Sequence, residues 1–264
     1  MPFQVSLKSW IKKIRSWNQR PIRASTDKVF IAEGEHLIFE AAKANFQCIV
    51  IFYLEGNKKN LEQIIEDYPQ TFTDSQIFAV NQSQNKAIST MDSPSKIIAV
   101  FKRPEKVVFA KKSDIVIFDQ LQDAGNVGTI MRTAWALGCK NIITNCGGIS
   151  IWHPKILRSA QGAHFQMNLI ENQDFDAIKK LVKQFPKHQI LIADMKGKSM
   201  YQQNLKPPAI WIFGNEGQGI SSQMQTLKHS LISVPMPVKI DSLNVAISAS
   251  ILLFQQYYQR AYLP

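Results

Sequence analysis

Three cysteines in 264 residues are too few and too scattered to staple a fold. Cys48, Cys139 and Cys146 are odd in number and form no CxxC pair and no Cys/His spacing. That argues against a disulfide framework and a zinc site, and it fits a reducing compartment. No apolar run approaches the ~18–20 residues of a membrane helix. The basic N-terminus leads into no apolar stretch and no small-residue cleavage site, so no secretory signal is expected. Internal repeats and low-complexity tracts are missing as well. Acid is the scarce charge: 20 Asp+Glu stand against 31 Lys+Arg, for a formal net charge of +11. Such an excess favours a polyanionic partner, most simply nucleic acid. The composition is 45% hydrophobic and 19% charged, which excludes wholesale disorder. The length suggests one large or two ordinary domains.

The basic charge is uneven. Between Met1 and Lys28 stand Lys8, Lys12, Lys13, Arg15, Arg20, Arg23 and Lys28, opposed by Asp27 alone. Trp10, Ile11, Ile14 and Trp17 recur there at helical spacing, which predicts a short amphipathic helix with a basic face. Two roles are open for it: an arm that contacts RNA phosphates, or a tail whose tryptophans cap the domain. A membrane-surface helix is a third.

From Val29 to Pro104, strand-like and helical stretches alternate, as in an α/β unit. Lys102-Arg103-Pro104-Glu105-Lys106 is charged and proline-broken, and it serves as the linker. The expected domains are therefore 1–104 and 105–264. The second also alternates strand and helix, and it ends in a long apolar helix, expected over Ser242–Tyr258.

Ligands of parallel α/β sheets bind at the carboxyl ends of strands, and three loops of the second domain are expected there. The first runs from Asp123 through Asn126 and Gly128 to Arg132, Thr133 and Ala134. Asn126 is placed to cap the helix that follows. The second is Gly214-Asn215-Glu216-Gly217-Gln218-Gly219. It has neither the Lys-Ser/Thr pair of a P-loop nor GxGxxG spacing. The third runs from Val234-Pro235-Met236 to Ser242-Leu243-Asn244-Val245, where Ser242 or Asn244 caps the last helix.

In order and spacing, these loops resemble the three signature motifs of the SpoU-type (TrmH-like) RNA ribose 2′-O-methyltransferases of the SPOUT superfamily. The likeness is strong over residues 115–256. It extends more loosely to the Lys155–Gln166 segment and to Ile31–Leu37, which looks like the start of an N-terminal substrate-binding domain. Ala124, Val238 and Asp241 depart from the common pattern beside the signature positions. The resemblance implies an α/β fold: a parallel-sheet methyltransferase domain threaded into a trefoil knot, with a smaller N-terminal α/β RNA-binding domain. It implies an enzyme that moves a methyl group from S-adenosylmethionine to a ribose 2′-hydroxyl, without metal. It implies a cytoplasmic homodimer whose interface includes the terminal helix, and RNA as the partner. A separate N-terminal domain favours ribosomal over transfer RNA; a catalytically silent RNA-binding protein on the same fold is the alternative. Carried over residue by residue, the cofactor positions are Gly214, Asn215, Glu216, Gly217, Gly219, Ile220, Val234, Pro235, Met236, Leu243 and Asn244. The catalytic group is Asn126, Arg132, Glu216, Ser242 and Asn244, with Arg132 as a phosphate anchor and Asn126 holding the hydroxyl or the arginine.

Overall fold

A computed structural model describes residues 5–19, 26–238 and 242–263. Arg20 and Arg23 of the basic N-terminus, and Asp241 of the third motif, lie outside the described residues. The chain forms two compact units. One comprises Met1–Lys106 with Trp152–Phe165, and the other Val107–Ile151 with Gln166–Pro264.

The first unit has a four-stranded mixed sheet of order β1-β4-β2-β3: β1 (Val29–Glu33), β2 (Cys48–Leu54), β3 (Gln76–Val80) and β4 (Ile97–Lys102). Alternation along the strands gives the sheet two apolar faces. One face carries Val29, Ile31, Val50, Phe52, Ile98 and Val100, and helix α1 (Leu7–Gln19) packs on it through Trp10, Ile14 and Trp17. Trp10 Nε1 donates to Gln76 Oε1 (2.7 Å) and Trp17 Nε1 to Asp27 Oδ2 (2.8 Å). The amphipathic helix is therefore part of the core, while Lys8, Lys12, Lys13 and Arg15 remain exposed. On the opposite face Phe30 stacks on Phe101 (5.3 Å) and Trp152 (4.9 Å). The Trp152–Phe165 segment thus closes the first unit's sheet, although it lies between strands of the second in the chain. The helix after β3 spans Gln82–Ile88. Asn81 and Gln84 form a reciprocal capping box that starts it, and Ser89 and Thr90 turn away to bond Glu33.

The second unit has six strands, all parallel, in the order β10-β8-β9-β5-β6-β7. They are β5 (Ile115–Asp119), β6 (Asn141–Asn145), β7 (Asn168–Gln173), β8 (Gln189–Ser199), β9 (Ala209–Gly214) and β10 (Ser230–Ser233). Ile115, Ile117, Ile143, Ile210 and Ile212 build the core of one face. The other face holds Trp211 and Phe213, stacked at 6.1 Å, with Trp211 Nε1 donating to Gln256 Oε1 (2.8 Å). Helix Ala124–Ala136 follows β5, and helix Val245–Tyr262 packs against it. The final helix is displaced from its expected span, starting three residues later and reaching Tyr262. The chain runs outward from β5 through β6 to β7, then crosses to β8 on the other side of β5, fills the gap beside β5 with β9, and from β9 turns away to β10 at the far edge. The order therefore reverses between β5 and β9, and Asp119 pairs with Gly214 at their ends. A crevice outside the carboxyl ends at such a switch point is the expected ligand site.

Candidate functional site

The cleft sits where that topology places it. Its volume is about 510 Å³, within the range of small-molecule sites. Five segments wall it: Ala193–Lys196 from β8, Phe213–Ile220 from the second motif, Ile232–Met236 after β10, Ser242–Val245, and Ser248 with Leu252 on the last helix. Of the expected cofactor positions, Gly214, Asn215, Glu216, Gly219, Ile220, Val234, Met236, Leu243 and Asn244 line it. Gly217 and Pro235 belong to the same loops without lining the cleft.

The glycine loop is held by its own backbone. Asn215 and Gly219 exchange two N–H···O bonds of 2.9 Å. Asn215 Oδ1 accepts from the Gly217 and Gln218 N–H groups (2.9 and 3.0 Å), and its Nδ2 donates to Gln120 O (2.8 Å). Gly214 is required sterically, because a Cβ there would sit 2.5 Å from the Gly219 backbone. Below the loop, buried Asp119 accepts from Ser221 N (2.6 Å), from Ser221 Oγ (3.1 Å) and from Asn145 Nδ2.

One hydrogen-bonded chain joins the three motifs. Asn126 Nδ2 donates to Glu216 Oε1 (3.0 Å), and Asn126 Oδ1 accepts from Asn244 Nδ2 (3.0 Å). Asn244 Oδ1 accepts from the N–H groups of Ala246 (2.9 Å) and Ile247 (3.3 Å). Chemistry fixes both ends of this chain. An ionised carboxylate only accepts, and a backbone N–H only donates. Both amides therefore have a single consistent orientation.

Two expectations change. Asn126 is not the cap of its helix; Asp123 is, with Oδ1 accepting from Asn126 N (2.8 Å). This frees the Asn126 side chain to bridge Glu216 and Asn244. Between Ser242 and Asn244, the cap of the last helix is Asn244. Asn126, Glu216, Ser242 and Asn244 come together at the cleft, but Arg132 does not. Six residues along a helix carry Arg132 about 240° around the axis from Asn126 and about 9 Å along it. It opens onto a separate groove with Thr133, Met200, Tyr201, Ser250 and Phe254, and its guanidinium meets no partner among the described residues.

Asp194, Met195 and Lys196 were missed by the sequence reading. They follow the buried part of β8, so the strand-end rule had marked their place; nothing in ADMKG stands out as a motif. Among the described residues, no group of three or more His, Cys, Asp or Glu is placed to hold a metal ion.

Comparison with known proteins agrees with this geometry. The model of the SpoU rRNA Methylase family matches residues 113–254, and that of the MRM3-like substrate binding domain matches residues 8–99. The 23S rRNA (guanosine(2553)-2′-O)-methyltransferase RlmP of Bacillus subtilis is 28% identical over 247 residues, covering 92% of this chain and 95% of the relative. Mitochondrial rRNA methyltransferase 3 of Mus musculus is 26% identical, over 89% of this chain and 68% of the relative. Among solved structures, a TrmH-family protein of Porphyromonas gingivalis is 25% identical with a TM-score of 0.79, covering 96% of this chain and 98% of that one. The SpoU methyltransferase AviRb of Streptomyces viridochromogenes, solved with AdoMet, shares the fold at 19% identity with a TM-score of 0.86, covering 96% of this chain and 98% of that one.

Proposed function

The chain belongs to the SpoU rRNA methylase family, and from that premise we propose that it methylates a ribose 2′-hydroxyl of ribosomal RNA, with S-adenosylmethionine as donor, at the cleft above β9. The observation that carries this reading is the Glu216–Asn126–Asn244 chain, which locks all three motif loops around one cavity.

The cleft suits the donor chemically. Phe213, Ile220, Ile232, Leu243 and Leu252 offer apolar surface to a purine, and the loop backbones offer hydrogen bonds. Asp194 and Glu216 bring carboxylates to a ligand that carries sulfonium and ammonium charge. The bound donor supplies an already activated methyl group. What remains for the protein is alignment of the hydroxyl and relief of its proton. Glu216 and Asn244 hold the cleft side of that geometry, Ser242 adds a hydroxyl at the rim, and Asn126 fixes both partners in place. A guanidinium is a poor base, so Arg132 serves as an anchor for RNA phosphate.

Arg132 opens onto a groove lined by exposed Tyr201 and Phe254, and Trp135, Ile247, Tyr257 and Tyr258 are exposed elsewhere on the two helices beside it. An apolar surface of that kind supports a homodimer, with the second copy packed on Ile247, Tyr257 and Tyr258 of the last helix. The same reading includes the trefoil threading that the resemblance implies; where β10 pairs with β8, the register shifts at Leu231–Ile232 and Gly197 passes close by. A Cβ on Gly197 would lie 2.4 Å from the Ile232 nitrogen. No helix among the described residues is long and apolar enough to cross a membrane, and a cytoplasmic site of action is part of the proposal. The exposed lysines of α1 join the substrate contacts, since the helix lies in the substrate-binding domain match.

The test has two arms. Calorimetry is expected to show metal-independent binding of S-adenosylmethionine, and no binding at millimolar ligand sinks the enzyme reading in favour of a silent RNA-binding protein. Ribose-methylation maps of ribosomal and transfer RNA, with and without the gene, are expected to differ at a ribosomal position; a difference confined to transfer RNA overturns the substrate.

A further inference from the structure

The end of the six-stranded sheet opposite the cleft carries a second feature. Five segments enter strands there: 107–113 before β5, 138–140 before β6, 183–188 before β8, 203–208 before β9 and 226–229 before β10. Asp114, the residue just before β5, is the one acid at these entries. Lys111, Lys112, Lys140, Lys183, Lys187, Lys206 and Lys228 stand in them, and all seven are exposed.

Backbone and side-chain bonds gather four of these segments into one surface, and the fifth enters β10 at the same end of the parallel sheet. Ala110 N donates to Asn141 Oδ1 (3.0 Å), and Asn141 Nδ2 donates back to Ala110 O (3.0 Å). Ser113 Oγ accepts from Lys140 N (2.8 Å), and Ser113 O accepts from His188 Nε2 (3.0 Å). Gln189 N donates to Pro208 O (2.9 Å). The acid at this end, Asp114, is neutralised: Arg260 grips it at 2.5 and 2.9 Å and donates through Nε to Lys206 O (2.9 Å). Lysines from four of these segments thus share a surface, with Lys228 at the same end of the sheet before β10, and among the described residues the one side-chain carboxylate at these entries, Asp114, is already paired. Helix C-termini alone do not account for them, because Lys112, Lys187, Lys206 and Lys228 lead into strands.

We propose that this amino-end surface is a second RNA contact, gripping the phosphate backbone of the substrate away from the methylated nucleotide. It rests on the reading that RNA is the substrate, and it adds a place where the RNA is held that does not touch the cleft. Lysines on flexible stems suit backbone phosphates, which they meet as point charges without reading base identity. Each neutralised phosphate contact steepens the salt dependence of binding by slightly less than one power of salt concentration.

The experiment uses the full chain carrying K112A, K140A and K187A together, beside K112R/K140R/K187R. Affinity for a ribosomal RNA transcript is measured across salt concentration, together with S-adenosylmethionine affinity and turnover at saturating RNA. The alanine variant is expected to flatten the logarithmic salt slope by about 2–3 and to raise KM for RNA about tenfold or more near 0.1 M salt. The arginine variant keeps the wild-type slope, and both keep donor affinity and kcat. An unchanged slope and KM in the alanine variant overturns the proposal. So does loss of donor binding or of turnover at saturating RNA, which would make these lysines structural. The parent reading fails by a different sign, in the wild-type protein: no methyl transfer to the transcript, while RNA affinity still reports on the lysines.

Discussion

At the carboxyl end of the six-stranded sheet, Asp123, Asp174 and Glu216 follow their strands and Asp194 stands near Lys196 late in β8; at the amino end, the segments carry lysines, and Asp114 is held by Arg260. The same strands serve both ends, yet the two are encoded differently. Backbone must approach a ligand closely at the carboxyl end, so glycines, a capping asparagine and fixed spacings are written as contiguous motifs. Phosphate contact at the amino end needs only charge, which single lysines supply from five places. A motif search finds the first kind of surface and is blind to the second.

The largest expected effect separates anchor from pocket. Arg132→Ala is expected to lower methyl transfer at saturating donor by about 10²-fold or more, with donor affinity nearly unchanged, because Arg132 lies outside the cleft; full turnover at saturating RNA would end its role. Gly214→Ala attacks the pocket itself. The added Cβ meets the Gly219 backbone, at a cost of about 1–3 kcal/mol in overpacking, and calorimetry is expected to show donor affinity down at least tenfold. Asn126→Ala breaks the link between motifs by stranding Glu216 and Asn244. A hydrogen bond to a charged group is worth about 1.5–3 kcal/mol, so a fall of about tenfold or more in kcat/KM is expected. A double-mutant cycle with Glu216→Gln that comes out additive would show that the two do not act as a unit.

The smallest effect concerns the thiols. Burial pushes the Cys139 thiol up to about 12, and burial raises Cys48 as well. Both are expected to ignore a thiol reagent at pH 8 in the native protein, while exposed Cys146 reacts and all three react after unfolding. The folded chain keeps these protons that the unfolded chain releases. Stability therefore falls as pH rises from the ordinary thiol value of about 8.5 towards 12.

Much of the molecule was legible because local chemistry decided it. Strands β1, β2, β4, β5 and β9 are short apolar runs rich in β-branched and aromatic residues, and burial on both sheet faces demands that pattern. The amphipathic spacing of Trp10, Ile14 and Trp17 announced a helix, but spacing alone left open whether it was an arm or a piece of core. Only its docking on Val29, Ile31 and Phe52 answered that.

Local pattern sufficed for the two α/β units, the three motif loops and most of the residues that line the cleft, because each depends on contacts within a few positions of the chain. Four further things waited for the folded arrangement. It set Asn126 as the bridge between Glu216 and Asn244, and it turned Arg132 away from the cleft. It placed Trp152–Phe165 on the first unit's sheet, and it collected the lysines at the amino end of the second. Each joins residues tens to more than a hundred positions apart or depends on which way a helix turns its face, and strand order and helix packing set that arrangement without leaving a local pattern in the chain.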